Sequence, residues 1–423
     1  MFRFRPAATA AKVKVLIVEP EAAGHHMVLY FRHITREVLA RGWHLRLLTS
    51  RSATAHPAFL EVAKEFSGRF EVTQMPDVAP PQRRQTPIAL GRWHLRHYRA
   101  MARAFDGLAE DQRPNVIYLN NLDGIDKLLP VLGSPFRGTR FAGLLMSIRF
   151  HHSKVGVMEP RRWRNPLLKV LFRRLLRLPS LGAVIVTDES FRDFIAQQRF
   201  PDREKVVFAA EPGGFPDGRR RTDARRRLGV RDEQVVLLVY GSIEARKGVL
   251  ALSRAVADGA CPRELMVLLA GTKADDVLNV RHESALQALR DGGRLIEISG
   301  FFTGEEELEV FSAADIVWLA YEGFYGMSGV LVQAGSMGLP VIACEEGLIG
   351  WVTKKYGMGI TVRAREVASV VGALSRLASD STLRRELGEN GRAMAKGHDP
   401  RSFGRCVCDV LERLGQAGAP GQG

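Results

Sequence analysis

Short apolar runs alternate with segments of helical period along the whole chain, and this alternation constrains the fold more than any other feature. The helical segments include Met27–Arg41, Trp93–Ala109 and Glu189–Arg199. Such an order is typical of βαβ units, whose parallel strands are covered by helices on both faces. The runs predicted to be strands are Val13–Val18, His44–Thr49, Phe70–Gln74, Asn115–Asn120, Phe141–Ser147, Ala183–Thr187, Lys205–Ala209, Val235–Tyr240, Leu265–Ala270, Leu295–Ser299, Ile316–Leu319, Pro340–Ala343 and Gly359–Val362. We therefore predict an α/β protein with two doubly wound parallel sheets.

The alternation breaks once, near the middle of the chain, at the turn-rich segment Glu211–Gly218. With 423 residues the chain is also too long for one ordinary hydrophobic core. We predict a first domain at 1–215 and a second at 216–400. A last helix with a frayed tail at 401–423 is expected to cross back to the first domain. Arginines crowd the residues after the break, where they either bind phosphate or lie on a solvated helix beside the linker.

The charge of the chain limits its partners. The formal net charge of +15 suits nucleic acid, anionic lipid or anionic metabolites, although arginine-rich chains also arise from GC-rich genomes. No nucleic-acid-binding module is recognisable, so nucleic acid is not expected as a partner.

The cysteines and the hydropathy indicate a cellular compartment. None of the cysteines has the spacing of a metal site, and a reducing cytoplasm fits them. The apolar run Val13–Val18 is interrupted by Glu19 and is predicted to be a strand rather than part of a signal peptide. No run of about 18 apolar residues exists, so no transmembrane helix is expected. The chain has four cysteines: Cys261, Cys344, Cys406 and Cys408.

Three glycine-rich loops in the second half follow predicted strands, at the sheet edge where open α/β sheets bind ligands. Glu322 opens one loop, and the helix predicted to start near Ser328 favours an anion because free N–H groups and the helix dipole point there. Arg246 and Lys247 lie in another loop and suit a diphosphate. Gly300 permits close approach of a flat base. Together these loops predict a phosphorylated ligand, although each alone is equally an ordinary surface loop.

An acidic run, Glu305–Glu307, follows the third of these loops. Thr303 and Glu306 have the spacing of a capping box, and acidic residues are favoured at a helix N-terminus. We interpret this run as structural.

Two histidine pairs follow predicted strands of the first half. His25 and His26 come after Gly24, which permits a tight turn before a helix, and either bind a ligand or cap the helix. The second pair is His151 and His152, which lie in a loop with Arg149 and Lys154. In such a loop arginine can clamp an anion and histidine can exchange protons. The alternative for this second pair is a solvated basic loop.

Residues 161–178 combine leucines on one face of a predicted helix with arginine and lysine around the other. This composition suits an interfacial helix on an anionic membrane, and it equally suits a helix packed on the core with its basic side in water.

The ordered motifs resemble those of glycosyltransferase family 4, which has the GT-B fold. They are GHH at 24–26, GSIEARKG at 241–248 and ISGFFTGEEELEVFSAADIVWLAYEGFYGMSGVLVQAGSMGLPVIA at 298–343. The resemblance is strong from Val235 to Val362 and weaker in the first half. It implies two Rossmann-like domains that face each other across a cleft, with the acceptor side in the first and the donor side in the second.

The resemblance also implies an activity. Members move a sugar from a nucleotide-sugar, such as a UDP-sugar or GDP-sugar, usually with retention and without a metal or cofactor. A hexosyltransferase-type enzyme (EC 2.4) with a lipid-linked or saccharide acceptor is therefore expected. Its implied setting is cell-envelope or polysaccharide biosynthesis, in the cytoplasm or peripherally on the inner face of the cytoplasmic membrane.

Individual residues inherit roles from the matched motifs. Ser242 stands where the family usually has an arginine, so Arg246 is expected to replace it, and Gln333 stands where a glutamate usually contacts the ribose. The catalytic residues implied are His25, His151 and Glu322. Contacts to the donor diphosphate and sugar are implied for Gly24, Arg149, Gly241, Ser242, Arg246, Lys247, Tyr325, Gly326, Met327, Ser328 and Gly329. Contacts to the base and ribose are implied for Gly300, Phe301, Phe302 and Gln333.

Two alternatives remain on the same fold. A nucleotide-sugar epimerase would convert its substrate without an acceptor. A non-catalytic nucleotide-sugar-binding or scaffold protein would fit the unusual Ser242 and Gln333.

Overall fold

The structure is a computed structural model, and it describes residues 13–21, 26–79, 86–215, 220–257 and 260–416. Within these ranges, seven parallel strands form one sheet in the order β3-β2-β1-β4-β5-β6-β7. The strands are β1 (Lys14–Val18), β2 (His44–Ser50), β3 (Glu71–Met75), β4 (Val116–Leu119), β5 (Arg140–Leu144), β6 (Leu181–Val186) and β7 (Val206–Phe208). The first strand lies in the interior of the sheet, between β2 and β4.

The second sheet repeats this plan. Its six described strands are parallel, in the order β10-β9-β8-β11-β12-β13. They are β8 (Val235–Tyr240), β9 (Leu265–Ala270), β10 (Leu295–Ile298), β11 (Ile316–Leu319), β12 (Val341–Cys344) and β13 (Gly359–Val362). Two doubly wound parallel sheets were predicted, and the structure confirms both.

Helices join the strands. A π-helical stretch, His26–Phe31, comes directly before α1, so the predicted helix Met27–Arg41 is not uniformly α-helical. The described α-helices are α1 (Arg32–Ala40), α2 (Arg51–Thr54), α3 (Pro57–Glu65), α4 (Pro87–Asp106), α5 (Leu129–Leu132), α6 (Asn165–Leu176), α7 (Glu189–Gln197), α8 (Arg221–Leu228), α9 (Val249–Ala257), α10 (Val280–Asp291), α11 (Gly304–Ala313), α12 (Gly329–Met337), α13 (Gly347–Tyr356), α14 (Val367–Ser379), α15 (Ser381–Ala395) and α16 (Pro400–Gln416).

Each sheet has a hydrophobic core on both faces because successive strand residues point in opposite directions. In β1, Val15 and Ile17 enter one core, whereas Leu16 and Val18 enter the other. The strand β8 divides its side chains in the same way. Burial on both faces explains why the strands are continuous apolar runs rather than alternating ones.

The chain crosses between the two sheets twice. Residues 211–215 pass over α12, where Gly213 leaves no room for a Cβ against Val332. Near α16 the chain returns, and the Gly213 amide donates to the His398 carbonyl at 3.1 Å. The helix α16 then packs on α1, with Phe403, Val407 and Leu411 in a core of the first sheet.

Candidate functional site

A cleft of about 1300 Å³ lies between the carboxyl edges of the two sheets. Its walls are formed by the loops and helix ends that follow β1, β8, β10 and β11. In each sheet the strand order reverses beside β1 or β8, and ligands of open α/β sheets bind at such points. The cleft is therefore the candidate site.

Lys247 lies at the base of the second-domain wall. Its side chain is only 4% exposed, and its ammonium donates to the Tyr240 carbonyl and, at 3.1 Å, to the Tyr321 hydroxyl. The ammonium also lies 4.8 Å from the centre of the Tyr321 ring. An ammonium carries three N–H donors, so these two contacts leave one for a ligand oxygen in the cleft.

Two glycines open the backbone next to this lysine. Gly241 has a φ of +93°, and a Cβ there would lie 3.4 Å from the Lys247 amine. Gly271 has a φ of +148°, and a Cβ there would lie 1.7 Å from the Gly241 carbonyl oxygen. Only glycine fits at position 271, because the loops after β8 and β9 touch through their backbones.

The predicted diphosphate residues Ser242 and Arg246 also line the cleft. The guanidinium of Arg246 bonds Glu244 at 2.6 Å and lies 5.0 Å from the centre of the Phe324 ring. Its charge is thus partly compensated by Glu244, in contrast to that of Lys247.

The N-terminus of α12 forms the next part of this wall. Ser328 is the N-cap residue, and its side chain makes no capping hydrogen bond, so the N–H groups of the first turn are not satisfied in that way. Met327, Ser328 and Gly329 line the cleft, whereas Glu322, Tyr325 and Gly326 do not belong to the described residues that line it. Instead, the Glu322 carboxylate accepts from Arg365 at 3.2 Å.

The predicted base and ribose residues form the outer part of the same wall. Gly300, Phe301, Phe302 and Gln333 all line the cleft. The Gln333 amide donates to the Glu307 carboxylate at 2.5 Å. Burial raises the pKa of Glu307 to about 7, against the opposing effect of hydrogen bonds from Tyr240 and Gln333.

The capping box predicted at the start of α11 is not formed. Thr303 is the N-cap residue, but its side chain makes no capping hydrogen bond. Glu307, which we had interpreted as structural, faces the cleft.

Two buried acidic groups, Glu211 and Glu19, lie on the first-domain side, and Glu211 lines the cleft. Tyr30 donates to the Glu211 carboxylate, and Asn120 donates to Glu19 at 2.7 Å. His26 lies 3.6 Å from the Glu19 carboxylate. Burial lowers the pKa of His26, but hydrogen bonding and charge from Glu19, with Glu211 nearby, more than offset this and raise it above its ordinary value. Gly24 and His25 lie outside the described residues.

His151 is placed differently from the prediction. It is fully buried, it is not among the described residues that line the cleft, and its Nε2 lies 2.9 Å from Ser190 Oγ and 3.0 Å from Asp188. The neighbouring His152 lies 3.1 Å from Glu159, and burial together with the charge of His151 lowers the pKa of His152 to about 3. Both histidines therefore hold their own loop in place.

This loop carries Arg149, which does reach the second domain. The Arg149 guanidinium lies 5.5 Å from the centre of the Tyr325 ring. Two second-domain groups also donate hydrogen bonds to backbone carbonyls of this loop. The Trp351 indole donates to Val155 at 3.1 Å, and the Gly347 amide donates to Met158 at 2.8 Å. The loop thus joins the two domains beside the cleft.

One group of side chains has metal-ligand spacing in the described part of the chain. His151, His152 and Asp188 place ligand atoms within 4.8 Å of one another. Ser190 and Glu159 already bond the two histidines, and Asp188 caps α7 by accepting from the Ser190 amide at 2.8 Å. The three residues are thus part of a hydrogen-bonded network, in which His151 Nδ1 and His152 Nε2 are buried without a hydrogen-bond partner.

The predicted basic helix is α6. Phe172, Leu175 and Leu176 are buried in the first-domain core, so this part of the apolar face packs as the second of the two alternatives expected. A separate set of apolar side chains is exposed, with Trp163 at 80%, Leu167 at 58% and Val170 at 45%. No described helix is long and apolar enough to cross a membrane.

Sequence reasoning missed several residues of the cleft. From the sequence, Glu211 was placed in a turn-rich segment and Tyr30 only within the helical segment Met27–Arg41. Arg32 and His56 also line the cleft, and His56 packs edge-on against the Phe301 ring at 5.8 Å. Their position could have indicated a role in the cleft, because each of these residues follows or faces the carboxyl end of a strand.

Comparisons with known proteins agree with this architecture. Residues 234–380 match the family model of glycosyl transferases group 1. A D-inositol 3-phosphate glycosyltransferase of Stackebrandtia nassauensis is 27% identical over 246 residues, which are 56% of this chain and 54% of that protein. Sucrose-phosphate synthase from Thermosynechococcus elongatus superposes with a TM-score of 0.69 at 19% identity, over 96% of this chain and 100% of that one. Anabaena Alr3699/HepE in complex with UDP and glucose gives a TM-score of 0.62 at 16% identity, over 95% and 100% of the two chains.

The chain spans about half the length of the curated relatives it matches. The family match lies in the second domain, whereas the solved structures cover both domains. The chain therefore has the GT-B fold, with a second domain similar to the glycosyl transferases group 1.

Proposed function

We propose that this protein is a glycosyltransferase (EC 2.4) that moves a sugar from a nucleotide-sugar to an acceptor hydroxyl, with retention and without a metal or cofactor. One observation supports this most directly. The Lys247 ammonium, the Gly241 backbone and the N-terminus of α12 meet on one wall of the cleft. Such a combination of a cation and free N–H groups suits a diphosphate.

The chemistry follows from this arrangement. As the bond between sugar and diphosphate breaks, negative charge grows on the leaving phosphate, and preorganised donors stabilise it. Lys247 and the first turn of α12 supply such donors, with Arg246 in place of the usual arginine. A leaving phosphate can itself accept the proton of the acceptor hydroxyl. Closure of the domains would bring His26 toward the sugar and exclude water.

The donor and acceptor are proposed from chemistry and from the related proteins. Alr3699/HepE was solved with UDP and with UDP-glucose, which makes a UDP-sugar the first donor to test. Several relatives are named D-inositol 3-phosphate glycosyltransferase, and an acidic or lipid-linked saccharide acceptor suits the positive charge of this chain. A role in cell-envelope or polysaccharide synthesis on the cytoplasmic side follows from these choices.

A peripheral contact with an anionic membrane is part of the proposal. Trp163, Leu167 and Val170 are exposed on α6 and beside it, next to the exposed Arg162 and Arg164. Aromatic and basic side chains of this kind suit the headgroup region. Cosedimentation with vesicles of anionic lipid should retain the protein, and Trp163→Ala should weaken retention. Equal retention of both proteins would exclude this surface.

The activity is tested first by binding. A panel of nucleotide-sugars should raise the melting temperature of the protein, because a ligand that binds only the native state stabilises it. The best binder is then incubated with acceptor candidates, and release of nucleoside diphosphate is measured. Epimerisation of the donor without an acceptor would favour an epimerase. Absence of binding by every nucleotide-sugar would favour a non-catalytic scaffold.

A further inference from the structure

A group of three polar side chains lies on the second-domain wall of the cleft, away from the lysine. Glu307 on α11 accepts from the Gln333 amide on α12 at 2.5 Å. The Tyr240 hydroxyl at the end of β8 lies within hydrogen-bond reach of both Glu307 and, at 3.2 Å, the Phe302 carbonyl, and its single proton serves one of these acceptors at a time. All three side chains line the cleft.

Phe301 and Phe302 line the same part of the cleft, and His56 of the first domain packs against the Phe301 ring. Two charged side chains of the first domain also act on Glu307: Glu61 raises its pKa and Arg32 lowers it. A carboxylate in such surroundings is costly unless donors surround it. Gln333 supplies one donor and Tyr240 at most one more, and a carboxylate accepts about four hydrogen bonds. Glu307 therefore has acceptor capacity for a ligand with paired hydroxyl groups.

The position of the group along the wall indicates which part of a ligand it meets. Gln333 lies four residues after Gly329, the first residue of α12. At 1.5 Å per residue this is about 6 Å from the helix N-terminus, which is the spacing of a ribose from its diphosphate. The Tyr240 hydroxyl that bonds Glu307 also lies 3.2 Å from the Phe302 carbonyl, so the group adjoins the surface at 300–302. Glu307 thus contacts α12, whose N-terminus is the proposed phosphate site, and lies near the surface proposed for the base.

We propose that Glu307, held by Gln333 and Tyr240, binds the ribose 2′- and 3′-hydroxyls of the donor nucleotide. This inference rests on the proposed function and assigns a residue that the sequence pattern left as a helix-capping acid. The carboxylate that is missing at position 333 is then supplied by the neighbouring helix, and the Gln333 amide orients it. The raised pKa of Glu307 agrees with a carboxylate that lacks the donors of its ligand.

Guanine is the other group that a carboxylate in this place can bind, through its N–H donors. The ribose is favoured because Glu307 contacts Gln333, about one helical turn from the N-terminus of α12. The experiment separates the two possibilities by varying the ribose and the base independently.

The test is calorimetric binding by the full chain. UDP, GDP and ADP are titrated first, and the tightest binder is compared with its 2′-deoxy and 3′-deoxy forms. The wild type should lose about 10- to 100-fold in affinity for each deoxy form. Glu307→Gln should bind the ribonucleotide about 10- to 100-fold more weakly, with the ratio of ribo to deoxy affinity falling to about 3-fold or less. Glu306→Gln, an exposed neighbour outside the cleft lining, should behave as the wild type.

The outcomes are distinct. Equal wild-type affinity for ribo and deoxy forms overturns the inference without any variant, and so does an unchanged ratio in Glu307→Gln. A changed preference among UDP, GDP and ADP with an unchanged ratio assigns Glu307 to the base instead. Failure of the wild type to bind any nucleoside diphosphate overturns the proposed function and this inference with it.

Discussion

The loops after β1 and those after β8 occupy the same place in two similar sheets, but they offer different groups to the cleft. On the first-domain side, Tyr30 bonds Glu211, and Glu19 is buried between Asn120 and His26. On the second-domain side, the loop after β8 offers an open backbone at Gly241 and the Lys247 ammonium, and the N-terminus of α12 lines the same wall.

This difference shows how the two domains of one site can bind different parts of the same ligand. Acidic and imidazole groups suit hydroxyls, because they accept hydrogen bonds or exchange protons. An ammonium and free amides suit phosphate oxygens. The second domain is therefore suited to the charged end of a nucleotide-sugar, and the first to the sugar and the acceptor.

The largest effect is expected from Lys247→Met. This substitution keeps an unbranched side chain and removes the charge. We expect sugar transfer to fall by about 10²- to 10³-fold, since a donor to the leaving group is lost. Release of nucleoside diphosphate from the best donor measures this. Lys354→Met, an exposed lysine on α13, is the matched control. Near-wild-type turnover by a folded Lys247→Met protein would remove Lys247 from the diphosphate site.

Two histidines of the first domain test whether a histidine acts on the ligand or only on stability. His26 lines the cleft, so His26→Ala should lower transfer by about 10- to 100-fold with nucleotide affinity unchanged. His151 is fully buried against Asp188 and Ser190, so His151→Gln should cost about 1–3 kcal/mol of unfolding free energy instead. Melting curves and turnover per folded molecule separate the two effects. Lost turnover without lost stability in His151→Gln would restore the catalytic role that the resemblance implied.

The strands of both sheets could be predicted from the sequence for a physical reason. A strand buried on both faces must be apolar at every position, as Val235–Tyr240 is, and no other element of that length has to be. Glycine-rich ends then locate the carboxyl edge, which placed Gly241 and Gly300 correctly on the cleft wall.

Contacts between side chains that are distant in the sequence could not be predicted from the pattern of residues. Nothing near His151 shows that Asp188 will bury it, because that contact depends on how β5 and β6 pair. Glu307 lies in an acidic run that a helix N-terminus explains fully, and only the approach of Gln333 reveals a second use. Such contacts depend on tertiary packing rather than on local spacing.

Glu307 gives a pH-dependent test of the second-domain wall. Its pKa is about 7 in the folded protein against an ordinary 4.5, so the folded state keeps a proton that the unfolded chain loses between these values. Raising the pH through this window therefore destabilises the wild type, by about 1–3 kcal/mol in all. Gln cannot ionise, so the melting temperature of Glu307→Gln relative to wild type should rise by about 2–8 °C from pH 5 to pH 8. A constant difference across this range would mean that Glu307 ionises normally.

Glu322 gives the smallest expected effect and tests where the second-domain wall ends. Its carboxylate pairs with the largely exposed Arg365 at 3.2 Å, outside the described cleft lining. Exposed pairs of this kind contribute about 0–1 kcal/mol. Glu322→Gln should therefore change the free energy of unfolding by less than about 1 kcal/mol and sugar transfer by less than about 3-fold. Since the resemblance implies a catalytic role for Glu322, a loss of about 100-fold would require this loop to turn into the cleft when the donor binds. The contrast with Lys247→Met then decides which loop carries the charge-stabilising groups, because both residues follow strands of the same sheet and only one faces the cleft.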